Sequence, residues 1–315
     1  MKPRVVITIG DPSGIGPEVT LKALAHPKIA GCADFLVIGD RSVIESACSD
    51  MRLRFKAPLV DLGNVPRRTF RYGRADAAFG RASVEYLDEA LILLRDGRAD
   101  CIVTAPVNKS SIRAGALPDF EGHTEYLAHR THTRDYAMMF VGTAMKITLV
   151  TRHIALKNVP SRLTPDAVYR SIAITHKYLS RYFSIRHPRI AVAGLNPHAG
   201  EGGIFGDEEA RAITPAIKRA SQRMKGVSGP YPPDVIFHDA LTGKYDAVVS
   251  MYHDQALIPF KLLYFKDGVN LTLGLPFVRT SPDHGTAFDI AGKAVADPSS
   301  MIEAIRLAAR LASKA

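Results

Sequence analysis

The chain has 315 residues, 46% hydrophobic and 23% charged, with a formal net charge of +10. That is enough chain for two α/β domains with sizeable cores, and the balance is that of a globular protein, not a disordered or membrane-embedded one. The basic residues are scattered, as at Arg67-Arg68 and Lys218-Arg219, and no RRM, zinc-finger or basic-helix pattern accompanies them. Nucleic acid is therefore not expected. A positive field suits approach of a small phosphorylated substrate, and suits a solubilising surface equally well. Cys32, Cys48 and Cys101 show no paired spacing, which reads as reduced thiols of a cytoplasmic protein. Lys2-Pro3-Arg4 leads straight into a strand with no signal peptide, and no apolar run reaches the length of a membrane span, so no membrane partner is expected.

Taken in chain order, strands are expected at Val5–Gly10, Asp34–Gly39, Cys101–Ala105, Ala137–Val141, Lys146–Thr151, Ile190–Leu195, Asp234–Phe237, Ala247–Tyr252 and Leu271–Leu273. Each is a short run of β-branched and small apolar residues bounded by turn formers. Pro17 suits the first turn of a helix to Ala25. Ala82 to Arg95 is amphipathic and helical, Thr164-Pro165-Asp166 opens a long helix to about Phe183, and Asp207-Glu208-Glu209 places acids at another helix start. Asp297-Pro298-Ser299 caps a C-terminal helix, Ile302 to Leu311. Alternating strands and helices predict an α/β fold. Domain boundaries fall near the turn-rich 114–122 and near Thr280: residues 1–118 with 280–315, and 119–279.

Several motifs admit two readings. Gly10-Asp11-Pro12-Ser13-Gly14-Ile15-Gly16-Pro17-Glu18 is a glycine-rich strand-to-helix turn without the GxGxxG spacing of a dinucleotide loop. Within Glu121-Gly122-His123-Thr124-Glu125, Thr124 either binds phosphate at a helix start or simply caps the helix. The glycines of Gly200-Glu201-Gly202-Gly203 allow close backbone approach to a ligand, or punctuate a turn. Lys261 and Arg279 flank the strand with Asn270; either alone reads as a surface cation.

Histidines end three of the strand-like runs: His153, His198 and His253. In open α/β sheets, ligands bind beyond the carboxyl ends of strands, and three imidazoles with an open position is a catalytic metal arrangement. One histidine after a strand is ordinarily a loop residue; three repeats bring the metal reading level with that one. His238 ends a similar run, Asp234-Val-Ile-Phe-His, and the pattern alone does not exclude it. The stretch 251–292 is the densest: MYHDQALIPFKLLYFKDGVNLTLGLPFVRTSPDHGTAFDIAG. It combines a His-Asp pair, two cations and a glycine-flanked loop, which suits a metal-assisted reaction on a small anion.

Together the strings GDPSGIGPE, APVNK, GHTEYLA, LNPHAGEGG, MYHDQ and NLTLGLPFVRTSPDHGTAFDIAG resemble the PdxA family of 4-hydroxythreonine-4-phosphate dehydrogenases, from Thr8 to Gly292. Two local departures are Ala256 with Ile258-Pro259, and Tyr264-Phe265-Lys266-Asp267. The resemblance implies a two-domain isocitrate/isopropylmalate dehydrogenase-like fold with the active site in the interdomain cleft. It implies NAD- or NADP-dependent oxidation of 4-phosphooxy-L-threonine at C3, with decarboxylation to 3-amino-2-oxopropyl phosphate, in pyridoxal 5'-phosphate biosynthesis. It carries the metal ligands onto His153, His198 and His253, for one divalent cation per site (zinc, magnesium or cobalt), and leaves His238 out. Substrate contacts fall on His123, Thr124, Lys261, Asn270 and Arg279. The cofactor loop falls on His284, Gly285, Thr286, Ala287 and Asp289. Asp254 is a candidate general base or partner of His253, and Lys261 a candidate catalytic group. A homodimer is implied, with the metal site shared: His153 and His198 from one chain, His253 from the other. The alternatives are a D-threonate or D-erythronate 4-phosphate dehydrogenase and, from different classes, a phosphate acetyltransferase or a metal-dependent phosphatase.

Overall fold

The computed structural model describes residues 2–314, which divide into two compact units: residues up to His132 with Leu275 onward, and Thr133–Gly274. The first unit begins β1 (Arg4–Thr8), α1 (Gly16–Leu24), β2 (Asp34–Gly39), α2 (Arg41–Met51), β3 (Leu59–Asp61), α3 (Ala77–Arg95), β4 (Cys101–Thr104), α4 (Lys109–Gly115) and α5 (His123–Arg130). The second unit holds β5 (Ala137–Val141), β6 (Lys146–Leu149), α6 (Val159–Arg162), α7 (Pro165–Phe183), β7 (Ile190–Ala193), α8 (Thr214–Ser221), β8 (Val227–Tyr231), α9 (Pro233–Leu241), β9 (Ala247–Ser250), α10 (His253–Tyr264) and β10 (Val269–Leu273). The chain then returns to the first unit as β11 (Val278–Pro282) and α11 (Ser299–Ala312).

In the first unit the strands run β3-β2-β1-β4-β11, all parallel. Parallel strands are covered on both faces and so read as continuous apolar runs; β4, Cys-Ile-Val-Thr, is buried at every position. Helices α2 and α3 pack Val43, Ile44, Phe79, Tyr86 and Leu93 onto Val6, Val37 and Ile102. Caps set the starts. The Asp40 carboxylate accepts from Ser42 N at 2.8 Å and also from Val65 N at 2.9 Å; Asp76 accepts from Ala78 N at 2.8 Å. The Asp76 cap starts α3 five residues before the expected Ala82.

In the second unit the order is β10-β5-β6-β9-β7-β8. The pairs β10/β5 and β5/β6 are antiparallel; β6/β9, β9/β7 and β7/β8 are parallel. Its core joins Phe140, Ile147, Leu149, Val248 and Phe260. Complete burial of a side chain such as Phe260 contributes about 2–3 kcal/mol.

One expectation is corrected. Asp234–Phe237 is not a strand but the first half of α9, because Pro232-Pro233 start a helix there, and the neighbouring strand is β8, at 227–231. His238 therefore lies in a helical last turn, not beyond a strand. Strands β3, β8 and β11 carry no sequence expectation of their own; β3 is three residues long and β8 reads Val-Ser-Gly-Pro-Tyr. The first passage between units follows α5, later than the turn-rich 114–122, because α5 belongs with α3: Tyr126 Oη donates to Asp88 at 2.5 Å and Arg130 pairs with it at 3.1 Å.

Candidate active site

In the first unit, β4, α5 and β11 bring one group together. Arg279 points from β11 into the fold and is only 2% exposed, a buried guanidinium and not a surface cation. Its Nη2 donates to Thr104 Oγ1 at 2.7 Å, its Nε to the same atom at 3.2 Å, and its Nη1 to Thr124 Oγ1 at 3.4 Å. Burial lowers its pKa to about 10, and the nearby Glu125 offsets only part of that. Thr124 does not cap α5: the cap is Gly122, with no side-chain cap bond, and Thr124 is turned inward.

Beside Arg279 lies His123, whose Nε2 is buried and has no hydrogen-bond partner among the described residues. Burial first, then the charges of Arg279 and Lys109, hold its pKa well below the ordinary value, so its imidazole is neutral near pH 7. A sealed ring nitrogen without a partner is costly unless a ligand supplies one. A neutral imidazole, a hydroxyl and a buried guanidinium form a seat for an oxyanion, and Arg offers it a two-point contact.

The loop following β11 carries His284, Gly285, Thr286, Ala287 and Asp289. It is anchored from behind. Thr286 O accepts from Ile15 N at 3.0 Å, and His284 Nδ1 lies 3.1 Å from Gly285 O. The glycine-rich turn after β1 is thus the support of this loop. Glu18 Oε1 accepts from Ala296 N at 2.7 Å, and Lys22 Nζ donates to Glu18 and to Ala294 O and Ala296 O at 2.7, 3.0 and 2.8 Å. At the front, Gly285 is exposed and a Cβ there would meet nothing within 4 Å, so backbone is open to a flat ligand. Ala287 sits at φ 42°, in the left-handed region.

In the second unit the three histidines lie beyond β6, β7 and β9, as the strand-end pattern expects. Two of them meet: the rings of His153 and His253 have centroids 5.4 Å apart. The loops that carry them are tied together, since Thr151 Oγ1 donates to Met251 O at 2.7 Å and Thr151 N to the same oxygen at 3.1 Å. His253 Nδ1 lies 2.7 Å from Asp254 Oδ1, a contact that orients the ring. The His198 ring lies beside Phe205, at 6.1 Å between centroids. Among the described residues no group of three or more His, Cys, Asp or Glu side chains is placed to hold a metal. Within one chain, the rings of His153 and His253 approach each other. Lys261 is on α10, half-buried, with Nζ 5.8 Å from the Phe265 ring. Asn270 is on β10, paired with Phe140, and its Oδ1 is buried without a hydrogen-bond partner among the described residues.

The donor set fits a divalent cation. Two imidazoles side by side, one oriented by a carboxylate, are the ordinary components of a zinc- or cobalt-type site. His198 occupies an unusual backbone. His198, Ala199, Gly200, Glu201, Gly202 and Gly203 all have positive φ, from 40° to 102°. For the non-glycine residues such a conformation costs roughly 1–2 kcal/mol each, so the surroundings must enforce it.

Two supporting residues carried no expected role. Gln255 accepts from Met251 N at 2.7 Å and donates to Gly194 O at 2.7 Å, linking the His253 end of β9 to the His198 end of β7. Glu209, only 6% exposed, accepts from Leu195 N and Asn196 N at 2.7 and 2.8 Å. In sequence Gln255 was merely a neighbour of the His-Asp pair, and Glu209 read as a helix-start acid.

The fold and these two groups define an α/β dehydrogenase-like protein with an anion seat and a histidine site. A β-decarboxylating dehydrogenase from Thermococcus kodakarensis shares the fold, with a TM-score of 0.51, 15% identity and coverage of 95% of this chain and 80% of that one. The family model described as pyridoxal phosphate biosynthetic protein PdxA matches residues 31–308, and the chain belongs to that family. It is 46% identical to 4-hydroxythreonine-4-phosphate dehydrogenase of Geobacter metallireducens, over 99% of this chain and 96% of the relative. It is 44% identical to D-threonate 4-phosphate dehydrogenase of Cupriavidus necator, over 99% and 98%. A crystal structure of 4-hydroxythreonine-4-phosphate dehydrogenase from Klebsiella pneumoniae matches with a TM-score of 0.89 and 38% identity, covering 98% of this chain and 99% of that one.

Proposed function

We propose that the chain catalyses NAD(P)-dependent oxidation of 4-phosphooxy-L-threonine at C3, with loss of CO2 to give 3-amino-2-oxopropyl phosphate, a step toward pyridoxal 5'-phosphate. The relatives named above are dehydrogenases, which favours this chemistry over acyl transfer or phosphate hydrolysis. The observation that carries the reading is the sealed, partnerless His123 Nε2 beside the buried Arg279. A phosphorylated amino acid supplies the oxyanion that this group is built to receive.

The chain's own residues then divide the work. Arg279, steadied by Thr104, makes the two-point contact to an anionic group of the substrate, and Thr124 donates its hydroxyl. His123, held neutral, donates or accepts one hydrogen bond without adding charge. Lys261 would hold the other anionic end and handle a proton there, while Asn270 Oδ1 would accept from a substrate donor. Asp254 holds the His253 ring through Nδ1 and Oδ1 and so acts as its orienting partner. His153, His253 and His198 would hold one divalent cation, zinc, cobalt or magnesium, which supplies Lewis acidity at the C3 oxygen when bound. The loop His284, Gly285, Thr286, Ala287, Asp289 would hold the nicotinamide cofactor, which supplies the hydride acceptor.

The chain is proposed to act as a homodimer with a shared metal site: the His153–His253 pair of one copy and His198 of a second. Support comes from the end of α10, where Leu262 is 81% exposed and Phe265, just past the helix, 77% exposed, near Lys261 and downstream of His253, and from exposed Ile204 and Phe205 beside His198. Apolar side chains clustered around such a site mark a surface for a partner. Mixing dead variants under subunit exchange tests it. His153→Ala with His198→Ala should regain activity, because one hybrid site escapes both lesions. His153→Ala with His253→Ala should not. The reverse result would give the split implied by family resemblance, and no recovery in either mixture of proven hybrids would sink the shared site.

The second reading is oxidation of D-threonate 4-phosphate, favoured by the 44% identity to the Cupriavidus necator enzyme. The two substrates differ at C2, amino against hydroxyl. A panel of both acids, read by NADH absorbance and CO2 release, decides. Turnover of neither acid would overturn both.

A further inference from the structure

His198 rides on a turn with few hydrogen bonds of its own: Ala199 N donates to Asn196 O at 3.1 Å, and the bonds that close the glycine run beyond it are longer. The closing bonds, Phe205 N to Gly200 O and Ile204 N to Glu201 O, are 3.3 and 3.5 Å long. The firm contacts come from thirteen residues downstream. Glu209 opens a π-helical turn, Glu209–Ile213, and its carboxylate turns back under the loop. Oε1 takes both Leu195 N and Asn196 N, at 2.7 and 2.8 Å, and Oε2 takes Asn196 Nδ2 at 2.9 Å. Glu208 Oε2 takes the same amide nitrogen at 2.8 Å. The space is shaped for this carboxylate. A Cβ on Gly194 would lie 3.0 Å from Glu209 Oε1, and one on Gly200 would lie 2.8 Å from Oε2. Three charge-assisted bonds thus fix the two residues before Pro197-His198, where the backbone turns left-handed.

We propose that Glu209 is a positioning residue for the metal centre: its carboxylate clamps the end of β7 so that His198 is presented as a ligand. This rests on the reading of His198 as a metal ligand. A merely structural Glu209 would change stability; a positioning Glu209 changes metal affinity in protein that remains folded. Glutamine at 209 keeps the shape but aims an NH2 group where an oxygen must accept.

The test titrates metal-free full-length protein with Co2+, following visible absorption and calorimetry, for the wild type, Glu209→Gln, Asn196→Ala and His198→Ala. Circular dichroism and kcat and KM accompany each. Glu209→Gln should keep its fold and a KM close to wild type, since the Arg279 seat is untouched. Its Co2+ affinity should fall about 10- to 100-fold, the range for residues that orient metal ligands, with kcat falling alongside and recovering at high Co2+. Asn196→Ala should show a smaller loss in the same direction, and carries the test should Glu209→Gln not fold. Wild-type affinity and spectrum in either folded variant overturns the proposal while the ligand reading stands. Wild-type affinity in His198→Ala overturns the ligand reading and the proposal with it.

Discussion

The two groups of functional residues are built in opposite ways. The anion seat of the first unit is finished within one chain: Arg279 is buried, its guanidinium is held by Thr104, and His123 is sealed beside it. The histidines of the second unit sit past strand ends; His153 and His198 are exposed, and the rings of His153 and His253 meet. The seat bears the desolvation cost of its buried guanidinium in advance. The histidine set leaves ligand positions open, as a catalytic metal site must. On the proposed function, recognition is preorganised, and the reactive centre would be completed by a cation and a second copy.

The largest effect should come from breaking the less finished side. His153→Ala, His198→Ala and His253→Ala should each lower kcat by more than about 10²-fold, the scale for loss of an electrostatic stabiliser. Chelation of the wild type should do the same and leave circular dichroism unchanged, because the cores around Phe140 and Phe260 need no metal. His238→Ala, in the last turn of α9, should behave as wild type. Should His238→Ala lose metal while His153→Ala keeps it, the histidine assignment is wrong.

Arg279→Lys tests the finished side. Lysine keeps the charge but cannot span Thr104 and a substrate oxygen as a planar fork does. The loss of a charged hydrogen bond is worth about 1.5–3 kcal/mol, so kcat/KM for the phosphorylated substrate should fall roughly 10- to 150-fold while Co2+ binding is unchanged. Wild-type kinetics would remove Arg279 from the substrate site. A simultaneous loss of metal would show that the two groups are not independent.

The same contrast explains what could be read from sequence. Strand-end histidines are legible because β6, β7 and β9 are largely buried strands whose apolar runs stop sharply. Arg279 was legible only through resemblance; in the run Val-Arg-Thr-Ser-Pro it looks like a surface cation, and its burial depends on β4 and α5, far away in sequence. The error at Asp234–Phe237 has a local cause: four residues of strand-like composition follow two prolines that start a helix. Glu209 and Gln255 escaped notice because their roles are backbone hydrogen bonds to distant loops, and no spacing rule signals a carboxylate that reaches back thirteen residues.

The smallest expected effect concerns two buried titratable groups of the first unit with opposite signs. Burial raises Asp11 to about 6 from its ordinary value of 3.8, against the hydrogen bond from Ser13 N at 2.9 Å. Its native state holds the proton more tightly than the unfolded chain, so Asp11 is least costly below 3.8, and stability is lost as pH rises through about 6. The full cost at neutral pH is up to about 3 kcal/mol. His123 behaves the other way: its native pKa is depressed, so stability is complete above the unfolded value of 6.5 and is lost as pH falls below it. Asn at position 11 cannot ionise. The Tm of Asp11→Asn relative to wild type should therefore rise with pH, near zero at about pH 4 and a few degrees higher by pH 8. His123→Gln should instead remove the decline of Tm on the acid side of pH 6.5. Melting curves at a series of pH values separate the two. A difference between Asp11→Asn and wild type that stays flat with pH would mean that Asp11 is as well solvated in the native protein as in the unfolded chain. The burial of the turn after β1 would then cost nothing, and the support of the loop at 284–289 would have to be sought in its hydrogen bonds alone.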